Sequence, residues 1–140
     1  MTAEFKELGF QFLYPENWTV TREASQAYPR SVTVQSPSGA FWSVTADQPP
    51  VGDLVQRVGE AIANEYEETE VHEVQRKVGP LEMEGQELNF YCLDLLVTAQ
   101  VFGCEKNGLA LAILMQAENR EFEELSRVFD AMTCSLLKSP

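Results

Sequence analysis

Histidine occurs once in this 140-residue sequence, at His72, and that scarcity sets the first limits on its chemistry. A two-histidine zinc site is excluded, and a single imidazole is left for any nucleophile–base pair. Cys92, Cys104 and Cys134 show no C-x-x-C spacing, and an odd count cannot close into intrachain disulfides, so they read as reduced, mostly buried thiols. None sits at a recognisable nucleophile elbow; Cys104, nearest a turn, is the thiol expected to be most reachable, and as a structural thiol. Basic residues are also few. Ten Lys and Arg against 22 Asp and Glu leave a formal charge of −12, which argues against nucleic acid and anionic lipid as partners. No stretch of about 18 apolar residues occurs, and the opening from Met1 to Leu8 carries charges of both signs, so a soluble, cytoplasmic protein is expected, without signal peptide or membrane span. The glycine-rich phosphate loops of nucleotide-binding proteins and the calcium loop of EF-hands are missing too. Glu82, Glu84 and Glu87 around Gly85 read as loop acids rather than a glycosidase pair. No cofactor, no metal and no catalytic constellation is expected: the chain reads as a non-enzyme.

What is present is a core. Hydrophobic residues make up 44% of the chain, and two Trp, four Tyr and eight Phe supply bulk enough for one domain over residues 1–140. Phe10 to Tyr14 predicts a short strand stopped by Pro15, and alternation resumes from Trp18 to Arg22 in a hairpin-type arrangement. Val32 to Gln35 and Ala40 to Thr45 alternate about a Ser36-Pro37-Ser38-Gly39 turn and predict a second hairpin. After Pro49-Pro50 the period becomes helical, with Leu54, Val58, Ile62 and Tyr66 in one stripe, Asp53 placed as N-cap and Gln56 answering it. Gly59 inside this helix predicts a closely approaching neighbour. Val71 to Val78, Leu88 to Val97, Ala99 to Cys104 and Leu109 to Ala117 predict strands, the last two joined through Lys106-Asn107-Gly108. The segment Leu109 to Met115 is apolar on both faces and predicts a central strand covered on both sides. A final helix from Arg120 to Thr133 carries Phe122, Leu125, Phe129 and Met132, with Asn119 as its cap.

Strands, helix, strands, helix, joined by hairpins, make this an α+β chain with a mostly antiparallel sheet covered by helices on both faces. The opening Gly9-Phe-Gln-Phe-Leu-Tyr-Pro-Glu-Asn-Trp18-Thr-Val20 resembles that of the Mog1/PsbP-like families, including bacterial DUF1795 and DcrB-like proteins. The middle helix, the long central strands and a terminal helix ending Cys134-Ser135-Leu136 are similar as well, so the likeness covers nearly the whole chain. The resemblance implies an α/β/α sandwich of the Mog1/PsbP-like kind. It also implies binding rather than catalysis, since members of that group bind a small GTPase or a photosynthetic complex, or act as chaperone-like adaptors.

Two features are candidates for a partner site. Glu65, Glu67, Glu68 and Glu70 form the densest patch of one charge, lying where no basic residue occurs between Arg57 and Arg76, and point to a basic protein partner. Trp18, Trp42 and Phe90 read as core, whereas Phe41 and Tyr91 lie in the opposite phase and are candidates for an exposed aromatic patch. The leading expectation is a non-catalytic protein-binding or adaptor module. The alternative is a small-ligand-binding protein or minor enzyme with a pocket between sheet and helix, and a homodimer through a sheet edge or face is compatible with either.

Overall fold

The computed structural model describes residues 1–22 and 27–140, within which nine strands and two helices follow one another. Strands β1 (Thr2–Glu7) and β2 (Phe10–Pro15) form a two-stranded antiparallel ribbon of their own. Strands β3 (Thr19–Arg22), β4 (Arg30–Gln35), β5 (Phe41–Asp47), β6 (Glu70–Val78), β7 (Leu81–Cys92), β8 (Leu95–Lys106) and β9 (Leu109–Glu118) form a seven-stranded sheet. Its order is β3-β4-β5-β9-β8-β7-β6, and every neighbouring pair is antiparallel. Helix α1 (Val51–Glu65) links β5 to β6, and helix α2 (Asn119–Lys138) follows β9 directly.

The two faces of β9 explain the layering. Leu111, Ile113 and Met115 join Trp42, Val44, Phe102, Phe129 and Met132 in the core beneath α2, while Ala110 and Ala112 join Leu54, Ile62, Leu88, Phe90 and Val101 beneath α1. A strand apolar on both sides therefore sits at the middle of the sheet with one helix on each face, as its composition requires. The β1–β2 ribbon completes the α2 layer. Phe12 lies 4.8 Å from the Trp42 ring and 5.2 Å from Phe5, so three aromatic side chains close the core beyond the helix. Trp42 is fully buried, and its indole N–H donates to Thr133 Oγ1 at 2.9 Å, which leaves no orphan donor inside.

Several sequence expectations need correction. Phe10–Tyr14 and Trp18–Arg22 do not pair as a hairpin: β2 pairs with β1, whose mixed charges hide a strand held by Phe5 alone on its buried side, and β3 pairs with β4. The Pro15-to-Trp18 turn does form, with Trp18 N–H donating to the Pro15 carbonyl at 3.0 Å. Leu88 to Val97 is not one strand, because the chain reverses at Leu93 and Asp94 with φ of 51° and 68°. Glu82, Glu84 and Glu87 belong to β7 rather than to a loop. Helix α1 starts at Val51, so Asp53 lies in its first turn and does not cap it; Gln56 donates to Glu60 one turn on. Helix α2 likewise lacks a side-chain cap, and Asn119 instead lies 2.8 Å from the Thr98 hydroxyl.

Three glycines mark close approaches, one of them Gly103, where a Cβ would overlap the Val51 and Val55 methyls of α1. A Cβ at Gly59 would overlap the amide oxygen of Gln86, the neighbour expected from the sequence, and one at Gly85 would overlap the backbone oxygen of Val101 and come within 2.9 Å of the Phe102 ring. A side-chain amide can rotate away and a strand carbonyl cannot. Gly85→Ala is expected to destabilise the fold by about 1–3 kcal/mol, the usual cost of overpacking. Gly59→Ala costs less, because about 1 kcal/mol of gained helix propensity offsets the displacement of Gln86. Urea unfolding of both variants measures the difference, and equal effects would contradict this packing.

Candidate functional site

The antiparallel register brings four connections to one end of the sandwich. Glu70 pairs with Asn89, Tyr91 with Leu96, Val97 with Glu118 and Phe41 with Gln116, so the start of β6, the β7–β8 turn, the β9–α2 junction and the β4–β5 turn share that end. The last turn of α1 is fixed there by a ring stack: Tyr66 lies 4.0 Å from Phe90 with the planes at 16°. Burial raises the Tyr66 phenol above its ordinary pKa, with Glu65 and Cys92 nearby adding to the effect. With Tyr66 held, Glu65, Glu67 and Glu68 project into solvent beside Glu70, and all four are exposed.

The β7–β8 hairpin extends the same end with apolar side chains. Tyr91 is 67% exposed, Leu93 93% and Leu95 48%. Leu93 and Asp94 form the two-residue turn, and their left-handed backbone carries the Leu93 side chain to the tip. Four carboxylates therefore share this end with an uncovered hairpin tip, on which Tyr91 lies on the α2 side with Glu70, and Leu95, opposite Cys92, on the α1 side with the end of α1. Phe41 is not part of this group: it is half-buried and lies on β5, on the face opposite Trp42, whereas Tyr91 lies on β7, on the face opposite Phe90. Because Trp42 packs under α2 and Phe90 under α1, the side chains of Phe41 and Tyr91 point to opposite sides of the sheet and make no common patch.

Basic groups gather at the other end. Lys6, Arg22, Arg30, Lys77 and Lys106 lie near the β1–β2, β6–β7 and β8–β9 turns, with Arg22 within 3.3 Å of Glu7. Lys106 donates to the Leu137 and Ser139 carbonyls at the end of α2. At the acidic end Arg120 is engaged by Glu118 at 2.8 Å.

Sequence reasoning missed a polar network on the α2 side of β6, β7 and β8. Arg76 donates from Nε to Asp130 at 2.7 Å, from Nη1 to Gln100 at 2.8 Å and from Nη2 to Ser126 at 2.6 Å. Gln100 then donates to Glu87 at 2.9 Å, and Asn89 to the other Glu87 oxygen at 3.3 Å. Thr98, 2.9 Å from Asn89 and 2.8 Å from Asn119, brings the chain of contacts back to α2. Each member finds a partner within the network, so it clamps the helix to the outer strands where the apolar core ends. The only signal in the sequence was the even spacing of Val74, Arg76 and Val78, which places Arg76 on the helix-facing side.

His72 is exposed on the same face, 3.8 Å from Glu70. The three cysteines are free and half-buried, and burial holds the Cys104 thiol above its ordinary pKa, in the protonated, poorly nucleophilic form. Among the described residues, no group of three or more His, Cys, Asp or Glu is arranged to hold a metal ion, and no helix is long and apolar enough to cross a membrane. A groove of about 1020 Å³ runs between α1 and the β6–β7 ribbon, with Val51, Val55, Gln56, Glu73, Gln75 and Gln86 among its lining.

The sequence matches no family model and no curated protein. Solved structures do match. The cyanobacterial PsbP (CyanoP) of Synechocystis sp. PCC 6803 superposes with a TM-score of 0.60 at 14% identity, over 96% of this chain and 90% of that one. The fold is Mog1/PsbP-like. A Bacteroides thetaiotaomicron protein matches with a TM-score of 0.61 at 12% identity, over 94% of this chain and 46% of that one. The Pseudomonas aeruginosa protein PA94, of unknown function, gives a TM-score of 0.54 at 10% identity, over 99% and 98%. At such identities the likeness extends to the Mog1/PsbP-like architecture and no further.

Arg76→Ala is expected to cost about 1.5–3 kcal/mol in stability, the range for hydrogen bonds to a charged group, and Arg76→Lys to recover little of it because an ammonium cannot reproduce the planar fork. Chemical denaturation of both variants checks this, and a loss under about 0.5 kcal/mol for Arg76→Ala would show the network to be incidental.

Proposed function

We propose that the chain is a non-catalytic protein-binding module of the adaptor or chaperone type, working in the cytoplasm through the end that carries Glu65, Glu67, Glu68 and Glu70. The observation that carries this reading is the convergence of those exposed carboxylates with the uncovered Tyr91, Leu93 and Leu95 at one end of the sheet. Apolar side chains supply contact area once water is displaced, and the surrounding charge steers a partner and sets its orientation. The matching surface is a basic one with an apolar strip. Like-charged carboxylates at the end of α1, with no basic residue in its last turn, oppose the helix dipole, and a cationic partner relieves that cost. Three free thiols suit a reducing compartment. The Tyr14-Pro15 to Trp18 opening resembles that of the Mog1/PsbP-like families, the bacterial DUF1795 and DcrB-like proteins among them.

The groove between α1 and the β6–β7 ribbon favours a second reading, in which a small ligand with hydrogen-bonding groups is held by Gln56, Gln75 and Gln86. The two readings separate experimentally. With a partner recovered by co-purification at low salt, changing Glu65, Glu67, Glu68 and Glu70 together to Gln should slow association about 10-fold or more and flatten its salt dependence, while Tyr91→Ser with Leu93→Ser should speed dissociation. Unchanged kinetics in both variants, with binding lost on Gln86→Ala, would transfer the function to the groove.

A further inference from the structure

The two edges of the main sheet are unlike. Strand β3 has four residues, whereas β6 has nine, Glu70 to Val78, with neither Pro nor Gly inside and an unbroken register against β7 from Glu70 opposite Asn89 to Val78 opposite Leu81. A regular edge of this length offers a row of backbone donors and acceptors to one more strand. The side chains indicate which strand that is. Glu70 and Glu73 lie in the first half of β6, Arg76 and Lys77 in the second. Glu73, Gln75 and Lys77 share the face toward the α1 layer and are all exposed, and α1 lies over β7, β8 and β9 rather than β6, so that face of the edge is clear. On the other face the network with Asp130, Ser126 and Gln100 ties Arg76 to the sheet and to α2.

The geometry points to a second copy of this chain as the occupant, joined β6 to β6 about a two-fold axis at Gln75. Antiparallel pairing about that residue sets Glu73 opposite Lys77 of the second copy and Lys77 opposite Glu73 of the second copy, with the two Gln75 side chains adjacent. Parallel pairing in register would oppose like charges at each of these positions. The charge order of β6 is thus self-complementary in the antiparallel sense. The dimer would run one sheet through both copies and point the two acidic ends in opposite directions along the strands. The Tyr91 tips stay uncovered.

Sedimentation velocity of the full chain over a concentration series tests this. The wild type is expected to reach the mass of two 15.7 kDa chains. Lys77→Glu and Glu73→Lys, each opposing like charges at the two symmetric positions, should shift the dimerisation midpoint at least 10-fold toward monomer, and the double exchange of both residues should restore it. Circular dichroism verifies folding of each variant. Should a variant fail to fold, amide hydrogen exchange of the wild type decides, with residues 71–79 becoming protected as concentration rises. A wild type that stays monomeric, a dimer indifferent to both single reversals, or concentration-independent exchange along β6 would each overturn the proposal.

Discussion

Strand β9 is the element on which the rest of the structure depends. From Leu109 to Met115 it presents apolar side chains to both sides, and no position at a sheet edge or against solvent could accommodate it. It has to be central, flanked by β5 and β8, and to have a helix above and below. A helix is about 10 Å wide and strands lie about 4.8 Å apart, so one helix covers two or three strands of a seven-stranded sheet. On the α2 side the β1–β2 ribbon fills the remaining width with Phe5, Phe10 and Phe12. On the α1 side helix cover stops at β9, and the corresponding faces of β4 and β5 carry Phe41 with Ser31, Thr33, Ser43 and Thr45, half-buried apart from the buried Ser43, to which the Thr33 hydroxyl donates at 3.2 Å.

The same economy shapes the outer strands β6 and β7. Beyond the reach of the apolar core, the hold on α2 passes to hydrogen bonds, with Arg76 at the hub and Glu87, Asn89 and Thr98 extending the network toward the β7–β8 hairpin. Past that network only β7 and β8 continue, with Phe90 stacked on Tyr66 at the end of α1, and this is where the carboxylates and the Tyr91 tip collect. Acid at this end and base near the opposite turns give the molecule a charge axis along its strands. A charge axis of that kind orients an approaching charged molecule before contact is made.

Much of the architecture was legible because it rests on periodicity. The double-faced run of β9, the Asn107-Gly108 turn, the β4–β5 hairpin and the helix stripes of Leu54 to Ile62 and Phe122 to Met132 follow from patterns that only one packing satisfies. The Leu93-Asp94 turn was hidden because Leu is not a usual choice for a left-handed backbone and no glycine accompanies Asp94, so the run from Leu88 to Val97 looks like a single strand. The helix starts were misplaced because Asp53 and Asn119 are good capping residues by type and are used otherwise. At the site, the position of the glutamates relative to the helix end could be read locally. Separating Phe41 from Tyr91 could not, since phase within a strand says which side chains are alike, and only the strand order says that Trp42 and Phe90 face different helices.

The most direct measurement is an amide hydrogen-exchange footprint of the chain in complex with its co-purified partner, read against the free chain. Slowed exchange is expected only in residues 66–72 and 90–97, the α1–β6 connection and the β7–β8 hairpin. Protection along residues 51–56 and 82–86, with the acidic end unchanged, would contradict this and put the binding surface in the groove beside α1.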